Sequence, residues 1–503
     1  MELARFFFYL FLVSLPFGTR VLVYQFTTGF HEYEAVFLYA SDVFLSLFLA
    51  AFWIFNPTPS KKRGSFAPAA KALSVLGAIL RPSKLRLSDL SAGRQVLFSG
   101  VWLKPKSLLI IFLVLAGLSI VWSWNEGLAI YNFGRLALLV LLALAVVKIL
   151  KEGLIKLENI FAIIVGSAVL QSLIGFLQFL KQSSLGLGFL GESVLGPFIG
   201  GTAKIIVEGA PIMRAYGTFP HPNVLAAFLL LGLLSSYYLY LKYRHPMSIV
   251  GIFIILLGLV LTFSRTAWLI AILLSFLVLG SRFLVKSHRK QAMVLSAILF
   301  SIFCFLVFSL SSFILSRAQI AADEPSVSYR LAYNQLGLDL IKANPLGIGI
   351  GNQVLYSVKN GHTNSAPSPD GFGNTNAPTR ITENFYEKFG MDQVWQWQPI
   401  HNIYLLIASE IGVFGLLAFL IFLITLLFGI WDLPPRYHTA SLAFGGGFGI
   451  SQVMLITLLG FGLADHFLWT LQPGRLMLWL VIGILMSISR AHSTMDSVYP
   501  SEG

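Results

Sequence analysis

Residues 398–428 read QPIHNIYLLIASEIGVFGLLAFLIFLITLLF, an apolar run with one formal charge, at Glu410. A helix of about 20 such residues, rising about 1.5 Å each, crosses the hydrocarbon of a bilayer. The run therefore reads as a membrane span, and it opens on His401, the residue type whose ordinary pKa lies near neutrality. Asn402 beside it is a good helix cap, and an interfacial histidine needs no further role. A sharper role for His401 depends on what the rest of the chain brings to the same side.

Only 11% of the 503 residues are charged and 56% are hydrophobic, against about 25% charged in soluble globules. The chain is an integral membrane protein. Its net charge of +13 lies in short connections between apolar runs, where membrane topology places Lys and Arg, and this excludes nucleic acid as a partner. The single cysteine, Cys304, sits inside the apolar run SAILFSIFCFLVFSLSSFIL, so neither an internal disulfide nor a thiolate zinc site is available. The N-terminal run FFFYLFLVSLPFGTRVLVYQF is interrupted by Arg20 and lacks a small-residue cleavage site, so it reads as a retained span rather than a signal peptide.

The fold expected is an all-α integral membrane protein of about twelve transmembrane helices. They fall near 6–26, 35–55, 107–124, 131–149, 159–180, 223–241, 247–264, 266–284, 291–316, 402–430, 439–463 and 474–490. The Lys/Arg asymmetry puts both termini and the basic 56–106 loop in the cytoplasm. The chain then divides into the first two spans (1–55), that loop (56–106), spans three to nine (107–316), a large extracytoplasmic loop (317–401), the last three spans (402–490) and a cytoplasmic tail (491–503). A second extracytoplasmic loop covers 181–222. The piece FAPAAKALSVLGAILRPSKLRL of the basic loop reads either as an amphipathic helix on anionic lipid or as a tolerated insertion.

Three arginines fall on the far side: Arg214, Arg265 and Arg330. Each alone is explained by snorkelling or a nearby carboxylate. Together on one face they suggest an anion site, since a planar guanidinium suits phosphate oxygens and keeps its charge. GIGIG at Gly347, Gly349 and Gly351 lacks the Lys-Ser/Thr of a phosphate loop and reads as a turn. Asn223 reads as a helix cap, with His221 beside it a weaker substrate contact. Asp465 and His466 form a weak polar pair, and Trp395 and Trp397 suit either a sugar or the interfacial belt. No metal-ligand spacing and no serine-nucleophile elbow occur, and no cofactor is expected.

The stretch HNIYLLIASEIGVFG resembles the motif of O-antigen ligases: His, then Asn, Ser or Gln, nine residues, Gly, two residues, and Gly, Thr or Tyr. Those positions are His401, Asn402, Gly412 and Gly415. RAYGTFPHPNVLAAF, FSRTAWL and YRLAYNQLGLDLIKANPLGIGIG are similar to the family's other blocks and stand in its order, over roughly residues 160–430. The resemblance implies transfer of a glycan from an undecaprenyl-diphosphate carrier to an acceptor hydroxyl at the outer (periplasmic) face of the cytoplasmic membrane. His401 would be the general base, and Arg214, Arg265 and Arg330 would hold the diphosphate without metal or nucleotide. The acceptor stays open among glycolipid, growing glycan and protein, because O-antigen polymerases and protein O-oligosaccharyltransferases share these blocks. A lipid-linked glycan transporter or flippase is the rival from another class, but almost no acidic residue or lysine stands at the span centres for ion coupling.

Overall fold

The computed structural model describes residues 1–26, 32–55, 105–283, 289–318, 325–362, 397–428 and 449–488. The basic loop, the Asn/Gly/Pro-rich stretch after His362, Trp395, residues 439–448 of the eleventh expected span and the C-terminal tail lie outside them. Helix α1 (Glu2–Ser14) stops ahead of Pro16, and a hairpin of β1 (Arg20–Gln25) and β2 (Ala35–Tyr39) leads into α2 (Ala40–Phe55). The continuous helices expected over 6–26 and 35–55 are thereby corrected: each run is a shorter helix joined to a strand, in a protein that is otherwise mostly helical. Proline interrupts the first helix, and β-branched and aromatic residues line both strands. Arg20 pairs with Glu32 and lies 4.2 Å over the Phe37 ring, which a straight helix would not permit.

The chain continues through α3 (Pro105–Leu118), α4 (Glu126–Lys151) and α5 (Leu157–Lys181) to a second hairpin, β3 (Lys204–Val207) and β4 (Ala210–Met213). There follow α6 (Pro222–Tyr243), α7 (Met247–Leu261), α8 (Arg265–Phe283), α9 (Arg289–Ser309) and α10 (Ser311–Ala318). After these come α11 (Pro325–Ala343), α12 (Gln353–His362), α13 (Ile403–Ile411), α14 (Val413–Phe428), α15 (Ile450–Gly462), α16 (Phe467–Thr470) and α17 (Gln472–Ile488). Among these, α4, α5 and α6, with 26, 25 and 22 residues, are long and apolar enough to cross a membrane, and several shorter apolar helices accompany them. The protein is mostly helical and multi-pass.

Helix α6 is buried on every side from Pro222 to Tyr238, as expected of a helix apolar all round. It packs on α5, α7 and α15. Helix α5 approaches it so closely that a Cβ at Gly232 would stand 2.4 Å from that of Ala168, the small-residue contact that lets membrane helices touch. Helix α17 is nearly as enclosed and packs on α4.

The expected 402–430 span is not one helix either. It breaks at Gly412 (φ 90°, ψ 170°), where a Cβ would lie 2.6 Å from the Leu346 carbonyl carbon. Only glycine fits that conformation and that approach. The GIGIG turn docks on the break: Ile348 N–H donates to the Ser409 carbonyl (3.0 Å), Gly349 N–H to that of Glu410 (2.9 Å), and Val413 N–H to that of Pro345 (3.0 Å). Carbonyls left over at the end of α13 are satisfied in this way. The other edge of the turn receives Trp124 N–H at the Ile348 carbonyl (3.2 Å), and Asn352 Oδ1 accepts Asn125 N–H (2.9 Å). The turn thus ties the α3–α4 connection to the break between α13 and α14.

Candidate active site

Two glutamines of α5 fix the segment that follows β4. Gln171 bonds the Thr218 N–H (2.8 Å), and Gln178 takes the Gly217 N–H and returns a bond to its carbonyl (both 2.8 Å). These bonds satisfy buried amides inside an apolar bundle. They also aim Arg214 inward. Buried at 6% exposure, it donates from Nε to the Thr262 carbonyl (2.6 Å) and from Nη2 to Asn223 Oδ1 (3.0 Å). Asn223 Nδ2 in turn donates to Asp465 Oδ2 (2.9 Å). The expectation that Asn223 caps its helix is corrected here. The cap of α6 is His221, whose Nδ1 accepts the Asn223 N–H (3.2 Å), so the asparagine side chain is released to bridge arginine and aspartate.

His401 lies in the short approach to α13. Asn402 caps that helix, its Oδ1 accepting the N–H groups of Tyr404 (2.9 Å) and Leu405 (3.1 Å). The imidazole stacks on Tyr333, ring centroids 5.3 Å apart, and meets His466 edge-on at 4.9 Å. Tyr333 belongs to α11, where Arg330 is one turn earlier on the same face. Gly337, one turn later, lets Ile400 pack close: a Cβ there would be 3.0 Å from Ile400 Cδ1. Packing rather than hydrogen bonding therefore orients the ring. Neither ring nitrogen is bonded among the described residues, and Nδ1 is enclosed without a partner. Nε2 is left for a ligand.

Asp465 completes the cluster. Its Oδ1 accepts the His466 N–H (2.8 Å), and His466 Nδ1 lies 2.7 Å from Thr470 Oγ1. Burial raises the Asp465 carboxyl, but the positive charge that the nearby histidines take up in acid, with that of Arg330, outweighs it and holds its pKa below the usual carboxylate range. Burial drives the other way for the imidazoles. His401 is pushed down to about 3 by burial first and by His466 second, with Asp465 opposing. His221 is pushed down to about 3 by burial and then by Arg214. His466 is also lowered, by burial. Arg330 contributes to all four shifts. The site therefore holds neutral imidazoles beside one carboxylate, with two guanidinium groups near them.

Residues 250–420 match the family model described as O-Antigen ligase. This region is similar to the O-antigen ligase family. It contains Arg265, Arg330, His401 and the whole His-Asn-to-Gly415 motif, in agreement with the resemblance read from those residues. Arg214, Asp465 and His466 fall outside the matched stretch and reach the domain only through folding. No curated protein matched the chain.

Of the sequence-predicted residues, the structure gathers Arg214, Arg330 and His401 around one cluster. Arg265 opens α8, three residues after the Thr262 carbonyl that holds Arg214. Asp465 and His466, read from sequence as a weak pair, prove central to the cluster, and His221 joins it. Trp397 packs partly buried at the edge of the core. Tyr333 had no sequence signal beyond its place one turn after Arg330. Among the described residues no three His, Cys, Asp or Glu side chains are grouped to hold a metal ion.

Proposed function

We propose that the protein transfers a glycan from an undecaprenyl-diphosphate carrier to an acceptor hydroxyl at the extracytoplasmic face of the cytoplasmic membrane. The observation that carries this reading is His401: an imidazole that burial holds toward its neutral form, with its Nε2 unbonded among the described residues, clamped by Tyr333 and His466, near Arg330, and in one cluster with Asp465, which Asn223 links to Arg214. The cluster is built from connections that the Lys/Arg pattern assigns to the outer face: 214–223, 262–265, 398–402 and 463–466.

The chemistry is a single displacement. The acceptor oxygen attacks the anomeric carbon, the bond from that carbon to the phosphate oxygen breaks, and its electron pair leaves with the diphosphate. Inversion follows. Arg330, with Arg214 and Arg265, stabilises the charge that grows on the leaving group. The acceptor proton passes to Nε2 of His401, and the carboxylate of Asp465 offsets the imidazolium that forms. Asn223 couples that carboxylate to Arg214, so the base and the anion site share one hydrogen-bonded frame. Ligase, polymerase and protein glycosyltransferase share this step and differ in the acceptor. A transporter would spread its titratable groups along a path, whereas these gather at one end of the helices.

The test is reconstitution. Purified protein is supplied with an undecaprenyl-diphosphate glycan and, in separate reactions, a glycolipid, a glycan and a peptide acceptor, and products are identified by mass spectrometry. Glycan appearing on an acceptor with inverted anomeric configuration supports the reading. Movement of intact donor between leaflets without transfer refutes it.

A further inference from the structure

A cavity of mixed polar and apolar lining lies beside the His401 cluster, walled by the β1–β2 hairpin, α4 and α17. Its volume is about 70 Å³, space for about five waters or for one phosphate-sized group and the edge of a sugar. Tyr33 links the two sites. Its ring stands edge-on to His466 at 5.8 Å, its hydroxyl donates to Gln398 Oε1 (3.1 Å), and it lines the cavity.

Two arginines line this cavity, and their situations differ. Arg135 is satisfied: it pairs with Asp42 (3.1 Å) and bonds Tyr131 and Gln472. Arg475 has no carboxylate within ion-pair distance among the described residues. Its Nε donates to the Trp469 carbonyl and its Nη2 to Asn132 Oδ1 (3.0 Å), which leaves Nη1 without a protein acceptor among the described residues. Glu410, an acid on the wall, accepts a hydrogen bond from Trp469 Nε1 (2.8 Å). A partly buried guanidinium that feels the charge of Glu410 without a direct ion pair to it is costly inside a membrane protein, and such groups are retained where a ligand or pathway needs them. Around it stand Tyr39, Tyr131, Trp469 and Trp479, with Asn132 and Gln353. Aromatic walls with a few fixed amides form the usual lining of a small-ligand site.

We propose that this cavity is an acceptor subsite that takes an anionic substituent, phosphate or carboxylate, on the acceptor's sugar. The proposal rests on the glycan-transfer reading. Arg475 binds the anion through Nη1, the aromatic walls receive the sugar's C–H faces, and the acceptor hydroxyl is presented toward His401 past Tyr33. The donor diphosphate is left to Arg214, Arg265 and Arg330, so the two anions of the reaction have separate cationic partners.

The test uses the full-length protein in detergent with glucose 6-phosphate, glucose and inorganic phosphate as probes, followed by saturation-transfer NMR. Undecaprenyl diphosphate is titrated in parallel. Two variants are compared: Arg475→Gln, which removes the cation, and Ala35→Leu, which fills the cavity from the hairpin and leaves every charge in place. The wild type is expected to bind glucose 6-phosphate at least tenfold more tightly than glucose or phosphate. Both variants should lose at least tenfold for that probe and keep undecaprenyl-diphosphate affinity within about twofold. Should Arg475→Gln fail to fold, Ala35→Leu decides. The subsite is overturned if the wild type does not bind the sugar phosphate, if glucose or phosphate alone binds as well, or if folded variants bind all probes unchanged. It is also overturned if Arg475→Gln loses undecaprenyl diphosphate instead. Failure of the wild type to bind undecaprenyl diphosphate strikes the glycan-transfer reading and leaves a sugar-phosphate site to be read from the other arm.

Discussion

The basicity of His401 should depend on the donor. Burial pushes its pKa down to about 3, and a base that weak accepts a proton poorly near neutrality. A diphosphate brings negative charge. One unit of charge about 5 Å away, at an effective dielectric of about 20, favours the imidazolium by about 3 kcal/mol, or about 2 pKa units. Donor binding should therefore lift His401 to roughly 5 with one effective charge and roughly 7 with two. The base is strengthened only when there is a leaving group to use it. The perturbation is pH, from about 4 to 8, with purified protein in nanodiscs. Single-turnover transfer is measured at saturating donor, and the His401 Cε1 resonance is followed by NMR with and without undecaprenyl diphosphate. The expected result is a rate that falls with acid through the donor-bound pKa and a resonance that titrates about 2 units higher with donor present. His401→Ala should remain folded, bind donor and transfer about 10²- to 10⁴-fold more slowly. Equal titration with and without donor would refute the electrostatic argument, and a folded His401→Ala protein of unchanged rate would remove the base.

Arg330→Lys should lower turnover about tenfold or more with little change in melting temperature, because lysine keeps the charge and loses the fork; wild-type turnover would return Arg330 to a surface role. Arg214→Lys should lose stability as well, by about 2 kcal/mol, since its Nε and Nη2 bonds are buried; thermal unfolding in detergent checks the difference between the two. Gly412→Ala should cost about 2 kcal/mol or more from the positive φ and the clash with Leu346, seen as a lower melting temperature, and an unchanged one would mean that the break can move. Stability should fall in acid: His221 and His401 have folded pKa values below the ordinary 6.5, so below about pH 6 the unfolded chain binds the extra protons. Each then costs up to about 1.4 kcal/mol per pH unit, and a denaturation midpoint that stays flat from pH 7 to about 4.5 would contradict the buried neutral state. In a protein whose Cys304 has been replaced, a cysteine at the Asn374 position should label from outside intact cells and one at Lys84 should not, and the reverse pattern would invert the proposed layout.

The sequence by itself determined the membrane class, the long apolar helices and, through local motifs, Arg214, Arg265, Arg330 and His401 as candidates. These are properties that a short window carries: hydropathy over about 20 residues, charge in a connection, a histidine at a fixed distance from glycines. Asn402 as a cap is equally local. Hydropathy cannot tell a span from a strand of the same residues, which is why 20–25 and 35–39 look helical by hydropathy and fold as a hairpin held by Arg20 and Glu32. It is also blind to a glycine at positive φ, so the break at Gly412, against which the 345–349 turn lies, leaves no mark in it. The weight of Asp465 and His466 was decided only by the tertiary structure. Asp465 is 242 positions from its partner Asn223, and each residue alone is an ordinary polar group at a helix end. What makes them part of a site is that α5, α6, α11, α13 and α15 deliver their ends to one place, where burial keeps the imidazoles neutral and the neighbouring charges keep the carboxylate ionised.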